Sequence, residues 1–417
     1  MLFFSIFSVS FVVVISLICY FAILTCEYSQ LICKIHKLWL NIVFFVYLCP
    51  CMLSFDSDVS FMKVAIVILG NRWVCPYVNT YIRILEKLGC EYDVILWDRD
   101  GSDRDGAHAF SSAGTQLGNP LVKTVYYFRY ACFIKRRIEA NGYDKVIVSG
   151  PHLAILLSLF LSKKYNGRYM LDYRDLSVEQ HPLLSPFYSL ALSGSACNVI
   201  SSPGFRCFLP LSYNYFVSHN FSIDEARRSL ETPSLCTLQR DGICDVLTVG
   251  SVRNFNSNVK VLSALANDKR FCMRFVGRGE AQTALQEYAK ANDIENVEFS
   301  GFYEKEDEAA IVSRATFINI FFPMNNEHSV IMSNRFYLAL IHKKPVIVTA
   351  GSTQASYVEE YGLGVVVKEC GNLDSQLMEF LSKLDYKTFC NSCNSLLSRF
   401  VGEHEEFENA VVKFLQK

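Results

Sequence analysis

The sequence predicts an α/β protein built on two doubly wound parallel sheets. Three observations carry this. Twelve short strand-like runs alternate with helical stretches along most of the 417 residues. Most of these runs are continuously apolar rather than alternating, which suits strands covered by helices on both faces. A polar stretch over 222–241, containing Pro233 and no long apolar run, divides them into two equal sets.

The first set falls at 63–69, 93–97, 145–149, 168–172, 197–201 and 213–217. The second falls at 244–250, 272–276, 296–300, 316–322, 345–349 and 363–367. Strand–helix alternation gives parallel sheets, with ligand sites outside the C-terminal ends of the strands. A first Rossmann-like domain is therefore expected over 62–222 and a linker or short connecting helix over 223–240. A second such domain follows over 241–385, and a helical segment over 386–417. Near its end Phe407, Val411, Phe414 and Leu415 recur at helical spacing, with Glu403, Glu405 and Glu406 in the first turns.

Residues 1–61 read differently. Residues 1–25 carry no charged side chain and are long enough to cross a bilayer, which takes about 20 apolar residues. A second run, 38–55, is interrupted by Asn41 and Pro50. Lys34 and Lys37 between the runs would hold that linker on the cytoplasmic side. Two membrane spans would then put the rest of the chain outside. One alternative is a single anchor with a membrane-surface segment. The other, which the charge rule favours, is a native start at Met62, where 62–70 reads as an opening Rossmann strand. The expected location is cytoplasmic, with the inner face of the plasma membrane open.

The formal charge of −1 gives no sign of a nucleic-acid or other polyanion partner, although a local basic face remains open. The 16 cysteines are scattered. Cys390 and Cys393 form a close pair, but a zinc site needs a second pair or two nearby histidines. Reduced thiols and no metal are expected.

The most informative segment is 333–349. Ser333 or Asn334 caps a helix whose buried face holds Phe336, Leu340 and Ile341, and Pro345 opens a β-branched strand. A helix start carrying Ser333, Asn334 and Arg335 suits an anion, because its first N–H groups are unpaired and the dipole is positive there. Upstream, the strand ending in Thr248-Val249-Gly250 leads to Arg253, and Lys260 follows on a helix. Two cations there either neutralise a diphosphate or lie solvated on a helix rim. Gly277 and Gly279 follow another strand, where glycine permits a sharp turn. The spacing falls short of a dinucleotide fingerprint. In the first half, His152 follows the strand 145–149, Asn71 and Arg72 follow the first strand, and Asp172 and Asp175 end the strand 168–172.

The order and spacing of these motifs resemble the sugar-nucleotide-dependent glycosyltransferases of GT-B type. Those of the retaining group 1 and capsular-polysaccharide classes are the nearest in pattern. The resemblance rests on Gly250 to Lys260, 273–280, the strand and turn Asn296 to Tyr303, the segment 321–349, and Trp97-Asp98-Arg99. It implies two Rossmann-like domains facing a cleft, with a C-terminal helix crossing back to the first. It also implies transfer of a sugar from a nucleotide-diphosphate sugar, a co-substrate, to an acceptor hydroxyl, with no cofactor and no bound metal. A glycan or lipid-linked glycan acceptor and work at a membrane surface are expected, with no nucleic-acid partner.

Carried over residue by residue, the donor diphosphate falls to Arg253, Lys260, Ser333, Asn334 and Arg335. The nucleobase falls to the backbone near Gly301 and Phe302. The acceptor falls to Asn71, Arg72, Asp172 and Asp175, and His152 orients the reacting groups. For Asp172 and Asp175 a loop-fixing pair with Arg174 is the alternative, and for His152 a packing role at a helix start. The chain departs from the pattern at Val330 and Leu338, where relatives hold a pair of acids; Glu327 and His328 lie nearby but off register. A sugar-nucleotide epimerase of the same fold and a non-catalytic sugar-nucleotide or glycan-binding protein are the rival readings.

Overall fold

Buried, β-branched strands organise the chain into two parallel sheets. The computed structural model describes residues 62–102, 108–112, 119–232 and 242–417. The expectations for residues 1–61 and for the linker beyond Thr232 lie outside these residues. The first sheet contains β1 (Lys63–Val67), β2 (Glu91–Asp98), β3 (Ala109–Ser111), β4 (Lys145–Ser149), β5 (Tyr169–Tyr173), β6 (Cys197–Ile200) and β7 (Phe216–Val217). Their order is β3-β2-β1-β4-β5-β6-β7, and every pairing is parallel. The helices are α1 (Val78–Lys87), α2 (Pro120–Asn141), α3 (Pro151–Lys164) and α4 (Ser185–Ser193), and α5 (Ile223–Glu231) leaves toward the second sheet.

The second sheet contains β8 (Cys244–Val249), β9 (Phe271–Val276), β10 (Val297–Ser300), β11 (Phe317–Ile320), β12 (Val346–Thr349) and β13 (Gly364–Val367). Its order is β10-β9-β8-β11-β12-β13, again all parallel. Its helices are α6 (Phe255–Ala264), α7 (Gln282–Ala291), α8 (Glu308–Ser313), α9 (Asn326–Val330), α10 (Asn334–Ile341), α11 (Thr353–Tyr361) and α12 (Leu373–Lys383). The last helix is α13 (Tyr386–Gln416). Each of the twelve expected runs holds a strand. β3 is additional: it is three residues long, only half-buried, and has no apolar run to announce it.

Alternate residues of each buried strand feed two cores, as the period of two requires. In β1, Ala65 and Val67 face a core shared with α2, α3 and α4. Val64 and Ile66 face the other side, where they meet α1 and the end of α13. There Phe407, Val411, Phe414 and Leu415 are all buried, and Phe407 packs edge-on against Tyr81 at 5.7 Å. The start of α13 meanwhile buries Phe389, Leu396 and Phe400 in the second domain. The C-terminal helix therefore crosses back to brace the first domain. It occupies the expected helical segment from Tyr386 onward, and its earlier apolar positions pack on the second core.

The two domains are also joined at the crossover. The Ser202 hydroxyl donates to the Val330 carbonyl. A Cβ at Gly204 would collide with Val330 and Thr353, so glycine permits the approach. His219 is held between the Tyr337 hydroxyl at 2.9 Å and the Glu403 carboxylate at 2.8 Å. Asn220 Nδ2 donates to Asn334 Oδ1 at 2.8 Å.

Candidate functional site

In each sheet the strand order reverses beside the first strand, at β1/β4 and at β8/β11. A crevice opens outside the C-terminal ends of the strands at such a point. The residues singled out from the sequence gather at these two edges.

At the second sheet, β8 is followed by Gly250 at φ +87° and β9 by Gly277 at φ +136°. The Gly250 N–H donates to the Val276 carbonyl at 2.8 Å and the Val252 N–H to that of Arg278 at 3.1 Å. The two loops thus continue the ladder past the strands. A Cβ at Gly277 would strike the Gly250 carbonyl, and one at Gly279 the Val252 carbonyl. The Gly-x-Gly pattern is a device for packing backbone on backbone.

Ser333 caps α10: its hydroxyl accepts from the Arg335 N–H at 3.3 Å, and its own N–H donates to Gln354 Oε1 at 3.1 Å. Asn334 is exposed and bound to Asn220. Arg335, one residue into the helix, is buried rather than displayed on the surface. Its Nε donates to the Val249 carbonyl at 2.6 Å, Nη2 to Ser251 at 2.7 Å and Nη1 to Asn319 at 3.3 Å. One guanidinium therefore ties the ends of β8 and β11 together at the reversal point. Burial pulls its pKa down to about 10, so it stays charged at neutral pH. Three of its five donors are engaged by carbonyls. Its hydrogen bonds fix the loop after β8.

Arg253 lies on that loop, exposed, with Nε donating to the Ser251 hydroxyl at 2.9 Å. Lys260 is exposed on the second turn of α6, where its charge acts on the Cys370 thiol. Burial nevertheless dominates there and pushes Cys370 up to about 11. Asn258, buried on the same helix, donates to the Arg253 carbonyl at 2.6 Å and so sets the loop's path. After β10, Gly301 has open space around it and Phe302 is 61% exposed, with Arg278 over its ring at 5.2 Å. An aromatic face bared at a strand end is suited to stacking a flat ring.

The two departures from the family pattern have a packing explanation. Val330 is buried against the first domain's core and Leu338 within the second's. A carboxylate at either place would be desolvated among apolar groups. Glu327, in contrast, is exposed in the first turn of α9, which Asn325 caps by accepting from the His328 N–H at 2.7 Å.

At the first sheet, Asn71 is a loop staple. Its Nδ2 donates to Asp98 at 2.8 Å and Asp100 at 2.9 Å, and its Oδ1 accepts from the Arg99 N–H at 3.2 Å. It is 3% exposed, so its amide serves the turn rather than a ligand. Arg72 beside it is exposed, donating to Asn79 at 3.3 Å. Asp172 takes the loop-fixing alternative: it is 1% exposed, with Arg174 Nε 2.8 and 2.9 Å from its two oxygens. Arg174 in turn donates to the Ser218 hydroxyl at 3.0 Å and covers the Tyr77 ring at 4.2 Å. The pair fixes the base of the cleft. Asp175, on the following turn, is exposed. Surrounding protein and then the Glu327 carboxylate raise its pKa, against the pull of Arg174.

His152 sits in the first turn of α3, after Gly150 at φ +87°. Its ring stacks on Tyr127 at 5.2 Å, and the Ser177 hydroxyl lies 3.1 Å from Nε2. Burial depresses its pKa, with Glu179 opposing, so the imidazole is neutral at physiological pH. Cys390 and Cys393 are buried in the second core, and burial raises the Cys393 thiol. Among the described residues no group of three or more His, Cys, Asp or Glu is placed to hold a metal. No described helix is long and apolar enough to cross a membrane.

No family model and no curated protein sequence matches the chain. Solved structures do match. Sucrose-phosphate synthase from Thermosynechococcus elongatus is similar at TM-score 0.56 and 16% identity, over 81% of this chain and 94% of that one. Anabaena HepE, solved with UDP and glucose, is similar at TM-score 0.59 and 13% identity, over 84% and 99%. The lipopolysaccharide outer core galactosyltransferase WaaB, in its apo form, is similar at TM-score 0.59 and 12% identity, over 84% and 99%. At these identities the likeness is one of fold: two Rossmann-like domains about a cleft, the GT-B architecture.

Proposed function

We propose that the chain is a glycosyltransferase that moves a sugar from a nucleotide-diphosphate sugar to an acceptor hydroxyl. The observation that carries this reading is the second domain's reversal point, where Arg253 and Arg335 share Ser251 beside the Ser333-capped start of α10. The leaving diphosphate gathers negative charge as the sugar bond breaks. Arg253 and Lys260 meet that charge directly, the positive end of the α10 dipole lies beside it, and Arg335 supplies a fixed positive charge beneath the loop. Phe302 and the backbone at Gly301 receive the base. HepE, of the same fold, was solved with UDP and with UDP-glucose, which supports a nucleotide sugar as the co-substrate.

The acceptor enters against the first domain, between Arg72, Asp175 and His152. A neutral imidazole there orients the acceptor hydroxyl or the donor sugar, and in a front-face displacement the acceptor loses its proton late, partly to the departing diphosphate. This reading retains configuration and calls for no metal. A lipid-linked glycan acceptor, in cell-surface polysaccharide assembly at the cytoplasmic face of the membrane, completes the proposal.

The burial of Val330 and Leu338 in place of acids favours one second reading, a sugar-nucleotide-binding protein without turnover. Incubation with UDP-, GDP- and TDP-sugars, with and without acceptor lipid, separates them. Nucleoside diphosphate released only with acceptor supports transfer. Release without acceptor indicates an epimerase, and saturable binding without release a binding protein.

A further inference from the structure

A groove of about 840 Å³ opens where α5, α8, the end of α10 and the start of α13 meet. Small-molecule sites fall in this size range, roughly 300–1,000 Å³. α10 starts beside the β8/β11 reversal point and ends here, about 12 Å further on along its axis. Lys343 stands in the wall and is 6% exposed. Its Nζ donates to the Ser229 hydroxyl and to the Leu340 carbonyl, both at 3.0 Å, which engages two of its three donors. Burial lowers its pKa, and no carboxylate pairs with it among the described residues. A buried cation ordinarily has a counterion. Its backbone is unusual as well: Lys343 follows α10 at φ +53°, where helices ordinarily place glycine or asparagine. His342 beside it is half-buried, and burial lowers its pKa, so the ring is neutral at physiological pH. Its ring nitrogens have no hydrogen-bond partner among the described residues. Arg228, exposed on α5 next to Ser229, donates through Nε to the Asp224 carbonyl at 3.3 Å, and its Nη groups are unengaged among the described residues. The acids of the groove are partly neutralised. Lys305 pairs with Glu308 and lies 3.9 Å from Glu225, while Glu306 is exposed.

We propose that this groove binds a small sugar phosphate, with its phosphate on Lys343, Arg228 and His342 and its hydroxyls on Glu306. A phosphate monoester carries nearly two negative charges and three acceptor oxygens at neutral pH. Two cations and one neutral ring nitrogen match that count. A carboxylate would supply one charge and leave one cation unmet. A long polyanion is disfavoured, because Glu225, Glu306 and Glu308 would repel its further phosphates. The phosphate supplies Lys343 with the counterion that its surroundings lack. It also ties α5, which leaves the first domain, to the end of α10, whose start carries Ser333 and Arg335.

Equilibrium binding reads this site without any sugar transfer, so its failure would leave the transferase reading standing. The test is calorimetric titration of the full chain with glucose 1-phosphate, glucose 6-phosphate and inorganic phosphate, with glucose as the neutral control. Wild type is expected to bind at least one sugar phosphate saturably, inorganic phosphate more weakly, and glucose not at all. Arg228→Gln and Lys343→Gly should each weaken sugar-phosphate binding by about tenfold or more. Arg228 is exposed and glycine suits the backbone at 343, so both variants should keep the fold, which circular dichroism confirms. Arg253→Ala/Lys260→Ala, at the edge of the second sheet, should bind the sugar phosphate as wild type does. Absence of saturable binding of every phosphate to wild type would overturn the proposal. So would wild-type affinity in both Arg228→Gln and Lys343→Gly, or glucose binding as tightly as its phosphates. Loss of binding in Arg253→Ala/Lys260→Ala alone would place the phosphate at that edge and overturn it too.

Discussion

Arg253 and Arg335 converge on a single residue. Arg335 Nη2 donates to the Ser251 carbonyl at 2.7 Å and Arg253 Nε to the Ser251 hydroxyl at 2.9 Å. One guanidinium is buried and the other exposed. The first makes the loop rigid, and the second is presented by it.

This division predicts opposite phenotypes for the two arginines. Arg335→Ala leaves three carbonyls without their donor and is expected to cost about 3 kcal/mol of stability. Arg253→Ala, at an exposed position, should stay within about 0.5 kcal/mol. Urea titration of both variants measures the difference. Comparable small losses would show that Arg335 is not a structural tie.

Gly277→Ala should be far more damaging than Gly301→Ala. The first adds a Cβ against the Gly250 carbonyl at a φ of +136°, whereas the second adds one in open space. Strained backbone together with a displaced loop implies a loss of roughly 2–3 kcal/mol or more for Gly277→Ala. Thermal melts of the two variants check this; similar melting temperatures would contradict the loop packing.

Placing an acid at Val330 should harm the protein. Val330 is 4% exposed and packs in the first domain's core. Val330→Glu would bury an unpaired carboxylate at a cost on the order of 3 kcal/mol. Val330→Gln should cost less, because it carries no charge. Chemical denaturation gives both values, and a stable Val330→Glu variant with raised activity would reverse the interpretation.

Stability should fall as the solution becomes acidic. Burial lowers the folded pKa of His152 and of His219. Below the ordinary histidine value the unfolded chain binds protons that the folded chain does not. The stability present above about pH 6.5 is therefore lost as pH falls toward the folded pKa values, with a slope of up to about 1.4 kcal/mol per pH unit for each histidine. Denaturation midpoints followed downward from neutral pH test the sign, and His152→Gln should flatten the dependence.

The sheets were legible because buried parallel strands are continuous apolar runs, as in Val146-Ile147-Val148. The glycines after β8 and β9 were legible too, since a sharp turn at a strand end calls for them. Side-chain direction was not. Asp172 and Asp175 look equivalent in sequence, yet one is enclosed with Arg174 and the other lies exposed on the turn. Asn71 looked like a ligand residue because nothing local reveals the two aspartates it joins, 27 and 29 residues away. Arg335 was placed on the right helix start, but its burial depends on carbonyls 84 and 86 residues distant. Glu327 lies off the expected register, and the structure leaves it exposed in the first turn of α9.

The most direct measurement is calorimetric titration of wild type and of the Arg253→Ala/Lys260→Ala double variant with UDP, GDP and TDP. The account predicts saturable binding of at least one nucleotide to wild type, weakened by about a hundredfold or more in the double variant, with the fold unchanged by circular dichroism. Equal affinity in the two proteins would contradict a diphosphate clamp at this edge of the second sheet.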